Sequence, residues 1–126
     1  MGKIGLPLAV HYARRGHSVV GVDVNPQTVA LINGGAEPFP GEAHLAEYLP
    51  PLISSGALRA TTEHAEAIPG ADAVVMVVPL VVDAESRPDF TIMDAATRSM
   101  AAHLSPGTLV SYETTLPVGT TRGRYK

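Results

Sequence analysis

Met1-Gly2-Lys3-Ile4-Gly5 opens the chain, and Gly21-Val22-Asp23 stands about twenty residues further on. The first stretch reads as the last five positions of the pattern G-x-G-x-x-G, with its first glycine missing. Asp23 closes the run His17-Ser18-Val19-Val20-Gly21-Val22. That pattern belongs on a strand-turn-helix. One glycine lets the backbone approach a pyrophosphate, another lets the helix lie close to the sheet, and the distant acid receives ribose hydroxyls. No strand precedes Gly2, so we expect a dinucleotide-binding domain whose first strand lies upstream of Met1.

Periodicity carries the reading outward. Ile4 to Arg15 has a broad apolar helical face, with Pro7 in the first turn, where its missing N–H is not needed, and Gly16 as a stop. Ser18 to Val24 is β-branched and predicts a buried strand. Asn25-Pro26 caps and starts a helix that ends at Asn33-Gly34-Gly35. Glu37 to Gly41, with two prolines, is a loop. A further helix spans about Glu42 to Ser54, and Pro50 and Pro51 should bend or shorten it. Leu58 to Thr61 is a brief strand, Glu63 to Ile68 a short helix, and Ala73 to Val78 the most apolar strand. A polar loop, Asp83 to Pro88, precedes a helix capped by Asp89 or Thr91 with the stripe Met93, Ala96, Met100 and Leu104. Pro106-Gly107 turns the chain into a last strand, Thr108 to Thr114, and Lys126 falls just inside another helix. Strands alternating with helices predict a parallel sheet covered on both faces. The expected fold is α/β, a Rossmann-type doubly wound parallel sheet, incomplete for want of its first strand and part of the glycine fingerprint.

Composition narrows the classes. The 126 residues suffice for one domain, truncated at both ends if the fingerprint is read correctly. Aromatic residues make up 5% and Trp is absent, so the core is one of Val, Leu, Ile and Ala, as buried parallel strands prefer. A net charge of -3 without long runs of one sign argues against nucleic acid as a partner. No apolar stretch approaches the roughly 20 residues needed to span a bilayer, so no membrane is expected, and the opening does not read as a signal peptide. The absence of Cys removes any disulfide framework or thiol chemistry and fits a cytoplasmic location.

The candidate chemistry is that of cofactor binding. Free amides at the start of the opening helix, from Lys3 and Ile4 to Gly5, would point at phosphates, aided by the helix dipole, with Gly2 permitting close approach. Asp23 would accept the adenosine ribose hydroxyls and repel a 2′-phosphate, favouring NAD over NADP. The structural alternative is a glycine turn plus an aspartate leading into a helix cap. Ligands of open parallel sheets sit beyond the carboxyl ends of strands, which would turn the Thr114 and Thr115 hydroxyls toward the nicotinamide end. Val78-Pro79 would offer backbone contacts in the same cleft. Alternatively, Pro79 simply ends a strand, and Thr120 or Thr121 caps the next helix after a turn. The five histidines (His11, His17, His44, His64 and His103) show no metal-binding spacing. Glu42 and Glu47 read as a solvated helix face, and no nucleophile-base set is present.

Lys3-Ile-Gly-Leu-Pro-Leu-Ala9, Pro38-Phe-Pro-Gly-Glu42, Gly21-Val-Asp-Val-Asn-Pro26 and Glu113-Thr-Thr-Leu-Pro-Val-Gly119 together resemble the UDP-glucose/GDP-mannose dehydrogenase family. The likeness runs the whole length, but covers only the N-terminal NAD domain of a longer family chain. It implies an NAD-dependent nucleotide-sugar 6-dehydrogenase. Such an enzyme takes a C6 alcohol to a carboxylate with two NAD, through a cysteine-bound thiohemiacetal and thioester. By motif, Gly2, Lys3, Ile4 and Gly5 hold the diphosphate, Asp23 the ribose, and Thr115 lies near the nicotinamide and reacting centre. Two departures stand out: Thr28 where many members carry a basic residue, and Val78 where a threonine usually precedes the proline. The family's catalytic cysteine and lysine belong to segments beyond Lys126, so the chain alone is expected to be inactive. The resemblance also implies a nucleotide-sugar substrate, a role in polysaccharide biosynthesis and a homo-oligomer.

Two other readings compete: the NAD domain of a β-hydroxyacid-type dehydrogenase, against which Thr114 to Gly119 argues, and a non-catalytic NAD-sensing module. The missing strand also carries an energetic expectation. In the order 3-2-1-4-5 it is central, lying between the strands ending at Val24 and Val78. Its burial of about five apolar side chains would be worth roughly 7–15 kcal/mol. That equals the net stability of an ordinary domain, about 5–15 kcal/mol. The chain is therefore not expected to be a stable monomer, and those two strands should show a gap or a forced pairing.

Overall fold

The computed structural model describes residues 1–126, which divide into two compact units, Met1–Ala67 and Ile68–Lys126. The first contains α1 (Gly5–Arg14), β1 (Val19–Val22), α2 (Pro26–Asn33), α3 (Leu45–Ser54), β2 (Leu58–Thr61) and α4 (His64–Ala67). The second contains β3 (Ala73–Met76), β4 (Val81–Val82), β5 (Pro88–Asp89), α5 (Thr91–Ala101), β6 (Leu109–Tyr112) and α6 (Thr120–Arg124).

In the first unit β1 and β2 run parallel, with Val19 opposite Leu58 and Val22 opposite Thr61. The apolar face foreseen for α1 buries Leu6, Ala9, Val10 and Ala13 against Ile32, Leu45, Leu49, Leu58 and Ala60. Asn25 caps α2 as expected, its Oδ1 accepting from the Gln27 amide at 2.9 Å. At the other end of α2, Asn33 spans the outer edge of β2. Its Nδ2 donates to the Ala60 carbonyl, and its Oδ1 accepts from the Ala60 amide, both at 2.8 Å.

Helix α3 corrects the sequence reading twice. It begins at Leu45 rather than Glu42, because His44 adopts a left-handed φ of 62°. It also runs through Pro50 and Pro51, which were expected to bend or shorten it. Each proline deletes one helical hydrogen bond, leaving the carbonyls of Ala46 and Glu47 without helical donors. Both residues are exposed, so water can serve those carbonyls, while Leu45 and Leu49 on the opposite face are buried. Gly35 makes the close approach possible. Its φ is 76°, and an added Cβ would stand 3.3 Å from Pro50 Cα.

In the second unit β3 and β6 are parallel, Ala73 facing Leu109 and Met76 facing Tyr112. Ile68, Met76 and Met100 form the buried cluster, with Val74, Val78, Ala96, Leu104, Val110 and Tyr112 packed on it. The predicted stripe of the α5 region is thus its core face. The expected polar loop after β3 is instead the tip of an antiparallel hairpin, β4 with β5. Asp83 builds that tip, its Oδ1 accepting from the Glu85 and Arg87 amides and its Oδ2 from Arg87 Nε. Neither Asp89 nor Thr91 occupies the cap of α5, which is Phe90 without a side-chain cap; Asp89 Oδ1 receives the Thr91 amide and hydroxyl just before it. Thr120 and Thr121 do not cap α6. Gly119 occupies that position with φ 88°, and the Thr120 hydroxyl donates back to the Pro117 carbonyl.

Parallel strands joined through helices make this an α/β fold of the Rossmann-type doubly wound class, incomplete. β1 pairs with β2 alone and β3 with β6 alone, so no strand of the chain pairs with the second edge of β1 or of β3, as expected. β1, β3 and β6 are each shorter than predicted, ending at Val22, Met76 and Tyr112. No helix is long and apolar enough to cross a membrane.

Candidate dinucleotide-binding site

The first unit gathers Gly2, Lys3, Ile4, Gly5 and Asp23 at one end of β1. Ile4 precedes α1 without any side-chain cap. The first amides with partners are those of Leu6, donating to the Gly2 carbonyl at 3.0 Å, and Leu8, donating to Ile4 at 3.2 Å. The amides of Lys3, Ile4 and Gly5 donate to nothing in the chain, and Pro7 has none to offer. Uncapped N–H groups at the positive end of a helix suit an anion. Gly2 has no positive φ to require glycine, and a Cβ built on it meets no atom within 4 Å. Space in front of the helix, rather than backbone strain, is what glycine provides here. Gly5 is buried, as its role between helix and sheet demands.

Asp23 follows β1 directly, its amide donating to the Thr61 carbonyl at 3.1 Å. Its carboxylate does not swing in solvent; the side chain is 17% exposed. Oδ1 accepts from the Asn25 amide at 2.8 Å, and Oδ2 receives the Met1 ammonium. The carboxylate therefore faces the amino end of α1, where the free amides lie. Val24, read from the sequence as the end of a buried strand, instead lies beyond β1 and presents an apolar side chain 89% exposed next to Asp23.

The second unit brings together Val78, Pro79 and Thr115 at the carboxyl ends of β3 and β6. Thr114 Oγ1 donates to the Val78 carbonyl at 2.8 Å, joining the two strand ends. This corrects one expectation: the Thr114 hydroxyl turns inward instead of toward a ligand, because a half-buried carbonyl at a strand end needs a donor. Thr115 is exposed, its hydroxyl unengaged within the chain, and Pro79 is exposed beside it.

One further network was invisible in the sequence. Arg124 pairs with both oxygens of Asp94, and Tyr125 donates its hydroxyl to the same carboxylate. Tyr125 stacks on Tyr112 with centroids 4.8 Å apart, and Arg124 lies over Phe90. The Arg124 guanidinium, opposed in part by desolvation, holds the Asp94 pKa at about 2. No pattern links residues thirty positions apart, so periodicity could not have found it. No three His, Asp or Glu side chains converge into a group that could hold a metal ion.

Known proteins bear on this arrangement. A family model described as "UDP-glucose/GDP-mannose dehydrogenase family, NAD binding domain" matches residues 1–126. The UDP-N-acetyl-D-mannosamine dehydrogenase of Escherichia coli (strain K12) is 40% identical over 121 residues, covering 96% of this chain and 28% of that protein. The NDP-N-acetyl-D-galactosaminuronic acid dehydrogenase of Ralstonia nicotianae is also 40% identical, covering 96% of this chain and 27% of that protein. Among solved structures, a UDP-D-ManNAc dehydrogenase from Pyrococcus horikoshii superposes with a TM-score of 0.88 at 30% identity, over 96% of this chain and 28% of that one. The chain thus spans little more than a quarter of the curated relatives it matches. With its uncapped first helix and the carboxylate turned toward it, the chain belongs to the UDP-glucose/GDP-mannose dehydrogenase family, as the NAD-binding domain.

Proposed function

We propose that residues 1–126 are the cofactor-binding part of an NAD-dependent nucleotide-sugar 6-dehydrogenase, truncated at both ends, with the central and sugar-binding domains outside the chain. The substrate is a UDP-sugar of the UDP-glucose or UDP-N-acetylmannosamine type, oxidised at C6 to the uronate with two NAD. Identity of 40% to the Escherichia coli UDP-N-acetyl-D-mannosamine dehydrogenase supports the second of these. The observation that carries the reading is the pairing of three unbonded amides, Lys3 to Gly5, with the inward-facing Asp23.

The residues present fit the cofactor. The amides of Lys3, Ile4 and Gly5 would hold its diphosphate across the open face of Gly2. Asp23 would receive the adenosine ribose hydroxyls, and its charge excludes a 2′-phosphate. Val24 offers an apolar surface beside that carboxylate for the purine. In the second unit, Val78 and Pro79 would offer the cofactor backbone contacts, and Thr115 matches by motif the threonine near the nicotinamide. When bound, NAD supplies the hydride acceptor; the chain's own residues bind and orient it. Thiol chemistry requires a cysteine outside these residues, so turnover belongs to the longer protein.

We further place the enzyme in the cytoplasm, as a homo-oligomer supplying uronates to polysaccharide synthesis. Absence of cysteine supports the compartment, and the family resemblance supports the rest. Net charge of -3 gives no reason to invoke nucleic acid or an anionic membrane as partner. The test is to express the coding sequence with its flanking regions, titrate NAD and NADP, and follow NADH formation with UDP-glucose, UDP-N-acetylmannosamine and GDP-mannose. NAD binding with oxidation of a UDP-sugar is the expected result. Indifference to NAD overturns the reading.

A further inference from the structure

The β3–β6 ladder ends in an exchange of donors. The Leu109 amide donates to the Asp72 carbonyl and the Glu113 amide to the Met76 carbonyl, both at 2.9 Å. Rungs of a parallel ladder are evenly spaced. Continuing this register, the Val78 amide would donate to the Glu113 carbonyl, a rung that is not formed, and beyond it the Thr115 amide would donate to the Val78 carbonyl. That acceptor is filled differently, by Thr114 Oγ1 at 2.8 Å. The Thr115 amide, which would have been its partner, donates to no group of the chain.

A half-buried carbonyl seeks a donor, and an amide released at an exposed strand end is free to serve a ligand. Thr115 is exposed whereas Val78 and Thr114 are half-buried, so the unpartnered amide belongs to an accessible residue. We propose that Thr114 is a positioning residue: its hydroxyl replaces the Thr115 amide on Val78 and frees that amide as a hydrogen-bond donor to an oxygen on the nicotinamide half of NAD. The inference rests on the cofactor reading above and adds a specific donor to it.

Removing the hydroxyl gives a distinctive outcome. In Thr114→Val the Val78 carbonyl recaptures the Thr115 amide, so the ladder gains a backbone rung as it loses a side-chain one. Stability then changes little while the ligand loses a donor. The experiment uses the protein expressed with its flanking sequence. It combines steady-state kinetics and a urea midpoint with amide hydrogen exchange at Thr115. Thr114→Val should raise KM for NAD about three- to tenfold, the worth of one net hydrogen bond, with kcat and the sugar KM within about twofold. Thr114→Ser should behave as wild type. In wild type the Thr115 amide should exchange freely and become protected by NAD, and in Thr114→Val it should be protected without NAD.

A variant that loses stability while NAD affinity holds would show a merely structural link and overturn the proposal. So would an amide whose exchange ignores both NAD and the substitution, or a KM for NAD that stays within about twofold. Wild-type protein that does not bind NAD at all would overturn the cofactor reading, and this inference with it.

Discussion

Asp23→Asn is the substitution on which the cofactor assignment can be weighed most directly. Asparagine keeps the shape of aspartate, and its remaining oxygen can still accept from the Asn25 amide at 2.8 Å, so the turn into α2 survives. What changes is Oδ2, the atom facing the amino end of α1, which becomes an NH2 group without negative charge. If this oxygen receives a ribose hydroxyl, the variant loses one hydrogen bond to a charged acceptor, about 1.5–3 kcal/mol. That corresponds to a weakening of NAD binding by about 10- to 150-fold. NADP should respond in the opposite relative sense. Its 2′-phosphate is repelled by the native carboxylate, so the preference for NAD over NADP should narrow. Isothermal titration of both nucleotides against wild type and variant reads the two effects together. A thermal midpoint measured alongside separates loosened structure from lost ribose contact. NAD affinity within about twofold of wild type, with an unchanged NAD-to-NADP ratio, would refute the placement of the ribose at Asp23.

Two other outcomes follow from contacts outside the candidate site. Asn33→Ala leaves both the amide and the carbonyl of Ala60 without partners, and Ala60 is only 5% exposed. At about 1–3 kcal/mol for each buried unsatisfied group, urea denaturation should show a loss of about 2–6 kcal/mol, and Asn33→Asp, which retains an acceptor but no donor, should not rescue it. A loss below about 0.5 kcal/mol would mean that water replaces the side chain without cost. Asp94 predicts an acid response. Its folded pKa of about 2 lies below the ordinary carboxylate value of 3.8, so its contribution is complete above 3.8 and is lost as pH falls through about 2. The stack of Tyr125 on Tyr112 should therefore loosen between about pH 4 and pH 2, visible in tyrosine ring shifts, and Asp94→Asn should abolish that dependence. Ring shifts unaltered across this range would show that the carboxylate does not hold α6.

Local patterns made most of the fold legible. The apolar faces of α1 and α5, the Asn25-Pro26 start of α2 and the strand Leu58–Thr61 each follow from spacing or capping chemistry within a dozen residues. That the half fingerprint and Asp23 would meet at one end of β1 was equally legible, because their spacing sets a helix start and a strand end side by side. What escaped depends on partners distant in sequence. Pro50 and Pro51 suggested a bend or a shortening because propensity does not register that Leu45 and Leu49 are buried on the same helix, which ends at Ser54 as read. The hairpin of β4 and β5 arises from the side chain of Asp83 closing its own turn, which looks like any polar loop when read linearly. The inward turn of the Thr114 hydroxyl depends on a carbonyl 36 residues away.

Asn33 has a consequence for how this small sheet can grow. Along β2, residues alternate in the direction of their backbone groups. Those of Ala57 and Thr61 serve β1, whereas Ala60 points its amide and carbonyl the other way. A single carboxamide satisfies both, acting as a stopper where a neighbouring chain might otherwise dock and begin an intermolecular ribbon. Recruitment of a further strand is thereby channelled to the far side of β1, where Val20 and Val22 keep their backbone groups unclaimed. One amide side chain gives the strand pair a finished border and a growing one, and so a direction of assembly.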